Sequence, residues 1–247
     1  MVPRQRGLVA SSQEGHRSQI CGTGAVGDQV AKMMAIEGLD GSGKETQTRL
    51  LESRLRELGL DVVSLSFPRY GQTSAVLVEE YLGGSFGASP KSVNAYGASS
   101  FFAMDRFASY LREWKKLYER CDVFLADRYV MSNAIHQCSK LPCEEWDGFL
   151  EWLFDFEFGK LGLPKPDKVF YLHLPVKESQ RLLAQRCQSD GLLMDIHERD
   201  VEHLRKSQAA AEHCCGRYGW EQVECLDNGK LRRIEDIHED IWERVGF

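Results

Sequence analysis

The stretch Met33-Met34-Ala35-Ile36-Glu37 reads as a short strand, and it runs directly into Gly38-Leu39-Asp40-Gly41-Ser42-Gly43-Lys44. Beyond that loop, Leu50, Leu51, Leu55 and Leu58 fall on one side of a helix expected over Lys44 to Leu58 and stopped at Gly59. A strand, a glycine-rich turn ending in Lys and a helix in that order constrain the fold strongly. The glycines let successive backbone N–H groups converge on phosphate oxygens at the positive end of the helix, and Lys44 adds a point charge for the β and γ phosphates. The loop Gly38, Leu39, Asp40, Gly41, Ser42, Gly43, Lys44, Glu45 and Thr46 is therefore the expected triphosphate site. Glu45 stands where such loops usually place a magnesium-binding hydroxyl, so it weakens the metal assignment and leaves the phosphate assignment intact.

The rest of the chain fits an α/β fold with a central parallel sheet flanked by helices. Further strands are expected at Asp61–Ser66, Val123–Ala126, Lys168–Leu172 and Gln222–Leu226. A long, interrupted helical region opens at Ser89-Pro90 and continues to about Arg120. Other helices are expected near Glu144–Phe156, Lys177–Arg186, His197–Cys215 and Ile234–Val245. With 247 residues, 43% of them hydrophobic, the chain can bury one substantial core, so residues 33–247 are read as a single domain. Residues 1–32 lack any sustained period and are expected to be a disordered extension. Gly22 to Gly27 formally matches GxGxxG, but no apolar strand precedes it.

The net charge of −6 speaks against a general affinity for nucleic acid or anionic membrane. No apolar stretch long enough to span a bilayer and no secretory leader is visible, so a cytoplasmic protein is expected. The 8 cysteines include no CxxC pair and read as reduced thiols. A zinc site at His136, Cys138 and Cys143 lacks a second ligand pair at finger spacing.

Val123-Phe-Leu-Ala-Asp127 ends an apolar strand in a carboxylate, which places Asp127 at the carboxyl edge of the sheet beside the loop. There it can hold magnesium or orient the attacking group, and Arg128 next to it suits an anion. Phe67-Pro68-Arg69-Tyr70-Gly71 follows the second strand, and Phe102 and Arg106 share a helix face at i, i+4. That pair offers a ring for base stacking and a guanidinium for a base carbonyl. These pieces together argue for phosphoryl transfer to an acceptor that carries a base.

The ordered motifs GLDGSGKETQ, FPRYG, FFAMDR, DRYVMSNAIHQ and DIHERD resemble the thymidylate kinases from about Met33 to Phe247. The resemblance implies a P-loop kinase fold with a short lid near Arg186–Asp195, ATP and dTMP as substrates, magnesium as the ion and a homodimer. It implies that Asp40 meets the sugar 3′-hydroxyl, that Tyr70 and Arg128 approach the acceptor phosphate, and that Phe102 stacks on thymine. Arg106 would donate to thymine O4, where cytosine presents an amino donor instead. Phe67, Ser132, Asn133 and Gln137 fall in segments that bind the acceptor in similar proteins. Lys44 is the only cation of the phosphate loop, so a lid arginine, Arg186 first and Arg181 second, is expected to neutralise charge in flight. Glu198 would act near magnesium or the acceptor sugar. His136 replaces an aromatic that helps exclude ribo sugars in many similar proteins, which leaves deoxy selectivity open. Another deoxynucleotide or nucleoside kinase, acting on dUMP or a deoxynucleoside, is the alternative; a non-catalytic nucleotide-binding protein fits less well because no NKxD motif occurs.

Overall fold

The computed structural model describes residues 31–246 apart from residue 192. Strand β1 (Lys32–Gly38) leads through the glycine loop into helix α1 (Lys44–Glu57), and β2 (Val62–Ser66) follows. Next come α2 (Val76–Leu82), α3 (Ala95–Ser109), a wider π-helical turn over 110–114 and the short α4 (Lys115–Tyr118). Then β3 (Val123–Asp127) precedes α5 (Val130–Cys138) and α6 (Trp146–Phe154), which runs on as a π-helical segment over 155–160. Strand β4 (Lys168–His173), α7 (Val176–Asp190), α8 (Val201–Tyr218) and β5 (Glu221–Glu224) complete the sheet, and a small hairpin of β6 (Leu226–Asp227) and β7 (Lys230–Leu231) leads to α9 (Ile234–Val245).

The five long strands form one parallel sheet in the order β2-β3-β1-β4-β5. Parallel crossovers put helices on both faces, so the central strands are buried on both sides and read as continuous apolar runs. Side chains of β1 alternate between two cores. Met33 and Ala35 join Phe67, Trp114, Phe124 and Tyr129 on one face, whereas Met34 and Ile36 join Leu51, Leu55, Leu125 and Ile241 on the other. In register, Ile36 lies opposite Asp127, and Ser66 also lies opposite Asp127. The carboxyl ends of β1, β2 and β3 therefore finish side by side, where the glycine loop and the Asp127-Arg128 turn begin.

Several boundaries differ from the sequence expectations. The fold includes Ala31, which is 2% exposed, and Lys32, which opens β1 and bonds the Asp122 carbonyl at 3.0 Å. The expected extension is thus shorter by two residues at least; residues 1–30, with the Gly22–Gly27 motif, lie outside the described residues. Helix α2 was not anticipated, because at 7 residues it is too short for a helical period to stand out. Helix α7 runs unbroken through Arg186 to Asp190, so the expected lid start at Arg186 is helical, and residues 191 and 193–200 form turns and irregular chain. Helix α8 starts at Val201, because the Asp200 side chain accepts from His203 N and caps it. The final strand stops at Glu224, and Asn228-Gly229, both at positive φ (48° and 76°), turns the β6–β7 hairpin. No helix among the described residues is long and apolar enough to cross a membrane.

Candidate active site

The phosphate loop is held in shape by close approaches that only glycine tolerates. A Cβ on Gly38 would come 2.5 Å from Ser42 Oγ and 3.0 Å from the Leu172 carbonyl oxygen, and one on Gly41 would come 2.7 Å from the Ser179 carbonyl oxygen. Ser179 of α7 also donates its hydroxyl to the Asp40 carbonyl at 2.5 Å. The loop is therefore braced by β4 on one side and α7 on the other. Lys44 is 7% exposed and folds back, its Nζ donating to the Leu39 carbonyl at 2.9 Å and lying 3.8 Å from the Asp40 carboxylate. Burial, with Arg128 adding to it, pushes the Lys44 ammonium down to about 8, against the pull of Asp40 and Asp127. Glu45 is exposed and borders the same cavity as Lys44.

Arg128 takes a left-handed backbone conformation, φ 65°, and its N–H donates to the Ile36 carbonyl at 3.0 Å. Its guanidinium forms an ion pair with Asp40 and donates weakly to Ser132 Oγ at 3.4 Å. Burial would raise the Asp40 carboxyl, but Arg128 and Lys44 hold it below the ordinary carboxylate range. Glu37, fully buried near the end of β1, accepts from Tyr129 N and Ser132 Oγ, each at 2.7 Å. Burial pushes its carboxyl up, and Arg128 opposes that. Glu37 thereby ties the Asp127-Arg128-Tyr129 turn to the strand that feeds the phosphate loop. In the sequence Glu37 reads only as a strand residue, and a carboxylate near the end of a buried apolar strand is the one signal of its role.

Asp127 closes β3, and its Oδ1 is buried without a hydrogen-bond partner among the described residues. Burial raises its carboxyl and Glu45 adds to this, while Lys44 and Arg128 work against it. An orphaned carboxylate oxygen at a phosphate loop, with a second carboxylate beside it, fits a magnesium ion. Across the cavity, Glu198 accepts from Asp195 N at 2.8 Å, and Asp195 in turn accepts from the N–H groups of His197 at 2.7 Å and Glu198 at 2.8 Å. Burial, reinforced by the Glu198 charge, pushes the Asp195 carboxyl up to about 7.

One cavity of about 550 Å³ joins these groups to the expected acceptor residues. Phe102 lines it and meets Tyr81 edge-on, with ring centroids 6.1 Å apart. Arg106, 2% exposed, donates through Nε and Nη2 to Glu157 at 2.7 and 2.6 Å and through Nη1 to the Tyr129 carbonyl at 3.3 Å. Asn133 Nδ2 joins the same carboxylate at 3.0 Å. Gln137 is 1% exposed, lines the cavity, and has no hydrogen-bond partner for either amide atom among the described residues. Phe67 borders the cavity, but its ring is buried 5.7 Å from both Trp114 and Tyr129, so most of it serves the core. Tyr70 stands at the mouth, 59% exposed. Arg69 N and Ser74 Oγ both donate to the buried Asp105, at 2.9 and 2.7 Å, which fixes the Phe67–Gly71 segment on α3.

Of the two lid arginines, Arg186 lines the cavity, whereas Arg181 is turned to Glu178 at 2.8 Å and Gln185 at 3.3 Å. The Arg186 side chain has no hydrogen bond or ion pair among the described residues. Of the expected site residues, Gly38, Leu39, Ser42 and the second-choice Arg181 do not border this cavity, the first three being loop positions next to it, and all the others do. Glu37, Asp105 and Glu157 were missed because each acts on a partner distant in sequence.

A parallel sheet in this order, with a phosphate loop after its first strand and an Asp at the end of the strand beside it, defines a P-loop nucleotide kinase. The family model described as Thymidylate kinase matches residues 36–241. The chain is 35% identical over 190 residues to "Thymidylate kinase" of Mycobacterium tuberculosis (strain ATCC 25618 / H37Rv), covering 76% of this chain and 87% of that protein. It is 28% identical over 214 residues to "Thymidylate kinase" of Plasmodium falciparum (isolate 3D7), covering 87% and 89%, and 31% identical over 211 residues to "Probable thymidylate kinase" of Pyrococcus abyssi, covering 84% and 92%. The chain belongs to the thymidylate kinase family.

Proposed function

We propose that the chain transfers the γ-phosphoryl group of ATP to dTMP, giving dTDP and ADP. The observation that carries this reading is a single cavity with the phosphate loop at one end and the Phe102–Arg106–Gln137 wall at the other, spanned by the Asp40–Arg128 pair. An oxygen of the dTMP phosphate attacks the γ-phosphorus, the bond from that phosphorus to the β–γ bridging oxygen breaks, and ADP leaves with the electron pair. The attacking oxygen is already anionic, so the protein's task is positioning and charge neutralisation. Loop N–H groups cradle the ATP phosphates, and Lys44 must exchange the Leu39 carbonyl for a phosphate oxygen to join them.

Arg128 grips the acceptor phosphate, while Asp40 takes the sugar 3′-hydroxyl. Phe102 stacks on the base. Arg106 has five N–H donors, of which three are engaged, so two remain for thymine O4. Asn133 and Gln137 complete the base wall, and Ser132 and Tyr70 flank the phosphate end. Arg186 swings to the phosphoryl group in transit. Asp127, with Glu45 and Glu198 on the same cavity, would hold the magnesium that arrives with ATP and supplies charge neutralisation to the phosphates. Family membership also favours a homodimer acting in the cytosol.

Coupled ADP release across dTMP, dUMP, dCMP and thymidine tests the reading. The expected order is dTMP first, dUMP next, and dCMP lowest among the monophosphates because its amino group meets Arg106. A preference for thymidine over dTMP would make this a nucleoside kinase instead.

A further inference from the structure

His136 of α5, His197 in the turn before α8 and His203 in the first turn of α8 are 6%, 5% and 5% exposed. One ring nitrogen from each lies within 4.8 Å of those of the other two. The ring centroids are 5.4, 5.7 and 4.4 Å apart. Three imidazoles on one tetrahedral ion, with metal–nitrogen bonds of about 2.0–2.1 Å, place their centroids roughly 5 Å apart. The ring centroids thus sit near coordination spacing, and rotation of the rings would bring nitrogens now within 4.8 Å of one another to the roughly 3.3 Å that such an ion requires.

One nitrogen of each ring meets a hydroxyl. Tyr81 Oη lies 2.7 Å from His197 Nε2, Ser139 Oγ lies 2.7 Å from His203 Nδ1, and Ser207 Oγ lies 3.5 Å from His136 Nδ1. Partners of this kind fix the tautomer and orientation of ligating imidazoles. His203 Nε2 is buried with no hydrogen-bond partner among the described residues. Burial also keeps all three rings neutral near pH 7, that of His203 down to about 4, so each offers a lone pair. Lys140 and Arg128 add positive potential nearby, and Asp40 and Asp200 offset part of it.

We propose that His136, His197 and His203 form a site for a divalent transition-metal ion of the zinc class, linking α5 to the start of α8. Three neutral nitrogen ligands suit Zn²⁺, Co²⁺, Ni²⁺ or Cu²⁺ and not Mg²⁺, which prefers oxygen. The site is therefore separate from the magnesium carboxylates. His136 and His197 also line the cavity, so an ion held by the three rings would border the nucleotide space. Cys138 and Cys143, which the sequence set beside His136, are free thiols and take no part.

The test is to strip the full chain with a chelator, titrate it with Co²⁺ and Zn²⁺, and record bound ion per chain, the visible absorption of Co²⁺ and the melting temperature. The wild type is expected to take one ion with a low-coordinate Co²⁺ spectrum and to melt higher with Zn²⁺. His203→Gln is expected to weaken binding at least a hundredfold. Ser139→Ala, which removes only a hydroxyl, is expected to weaken it about tenfold with the fold intact, so it serves if His203→Gln does not fold. A wild type that binds no ion overturns the proposal. So does equal binding in the wild type and the variants, which would place the ion on surface groups such as His173, Glu212 and Glu224.

Discussion

Glu157→Gln tests whether the buried carboxylate under Arg106 serves the base site or only the fold. Glu157 is 0% exposed and accepts three hydrogen bonds, two from Arg106 at 2.7 and 2.6 Å and one from Asn133 at 3.0 Å. Gln keeps the volume but removes the charge and turns an amide N–H₂ toward a guanidinium donor. Breaking a buried pair on one side costs about 3–5 kcal/mol, and the isosteric amide should bring the loss toward the lower figure. Chemical denaturation should show that loss. The freed guanidinium then has no fixed direction for its remaining donors. Losing that preorganisation, at about 1.5–3 kcal/mol for a charged hydrogen bond, should raise the KM for dTMP roughly 10- to 100-fold and leave the KM for ATP nearly unchanged. Steady-state kinetics with each substrate varied separates the two effects. The double change Arg106→Met with Glu157→Leu should recover stability without recovering dTMP affinity, because paired removal leaves no orphaned charge. A stability loss with an unchanged KM for dTMP would refute the reasoning and make the pair purely structural.

Arg186→Ala should lower kcat by on the order of 10³-fold with both KM values preserved, since its guanidinium is needed only as charge moves; an unchanged kcat would shift the role to Arg181. Asp127→Ala should depress kcat far more than Glu45→Ala, for which a change below about tenfold, roughly 1.4 kcal/mol, is expected. Kinetics against magnesium concentration check both, and a Glu45→Ala collapse rescued by extra magnesium would reverse the two roles. A chain starting at Met33 loses the buried Ala31 and the Lys32 bonds to the carbonyls of Asp122, Val245 and Gly246, at 3.0, 3.2 and 2.6 Å. It should melt a few degrees below one starting at Ala31, at about 2–4 °C per kcal/mol for a chain of this size; equal melting would show that β1 tolerates the loss.

Groups whose chemistry depends on neighbours in sequence could be read without coordinates. Gly38, Gly41, Gly43 and Lys44 sit in one loop, Asp127 and Arg128 end one strand, and Phe102 and Arg106 share one helix face, so spacing alone placed each set. What stayed hidden were contacts across the fold. Glu157 lies 51 residues from the arginine it orients, and Glu37 lies 92 residues from the Tyr129 N–H it accepts. Nothing local distinguishes Glu157 from a solvated carboxylate, whereas the place of Glu37 near the end of an apolar strand marks it without naming its partner. The His136–His203 stack likewise needs α5 and α8 to pack together. Local chemistry competed elsewhere: Asp200 capped α8 later than the apolar pattern implied, and α7 continued past Arg186 because nothing breaks the helix before Gly191.

Time-resolved ³¹P nuclear magnetic resonance of the chain with ATP, magnesium and dTMP addresses phosphoryl transfer most directly. The dTMP signal should decline as the paired signals of dTDP and ADP grow in equal amounts, without inorganic phosphate, and the exchange should stop with Asp127→Ala. Growth of inorganic phosphate with dTMP unchanged would make the chain a nucleotide hydrolase and contradict the account.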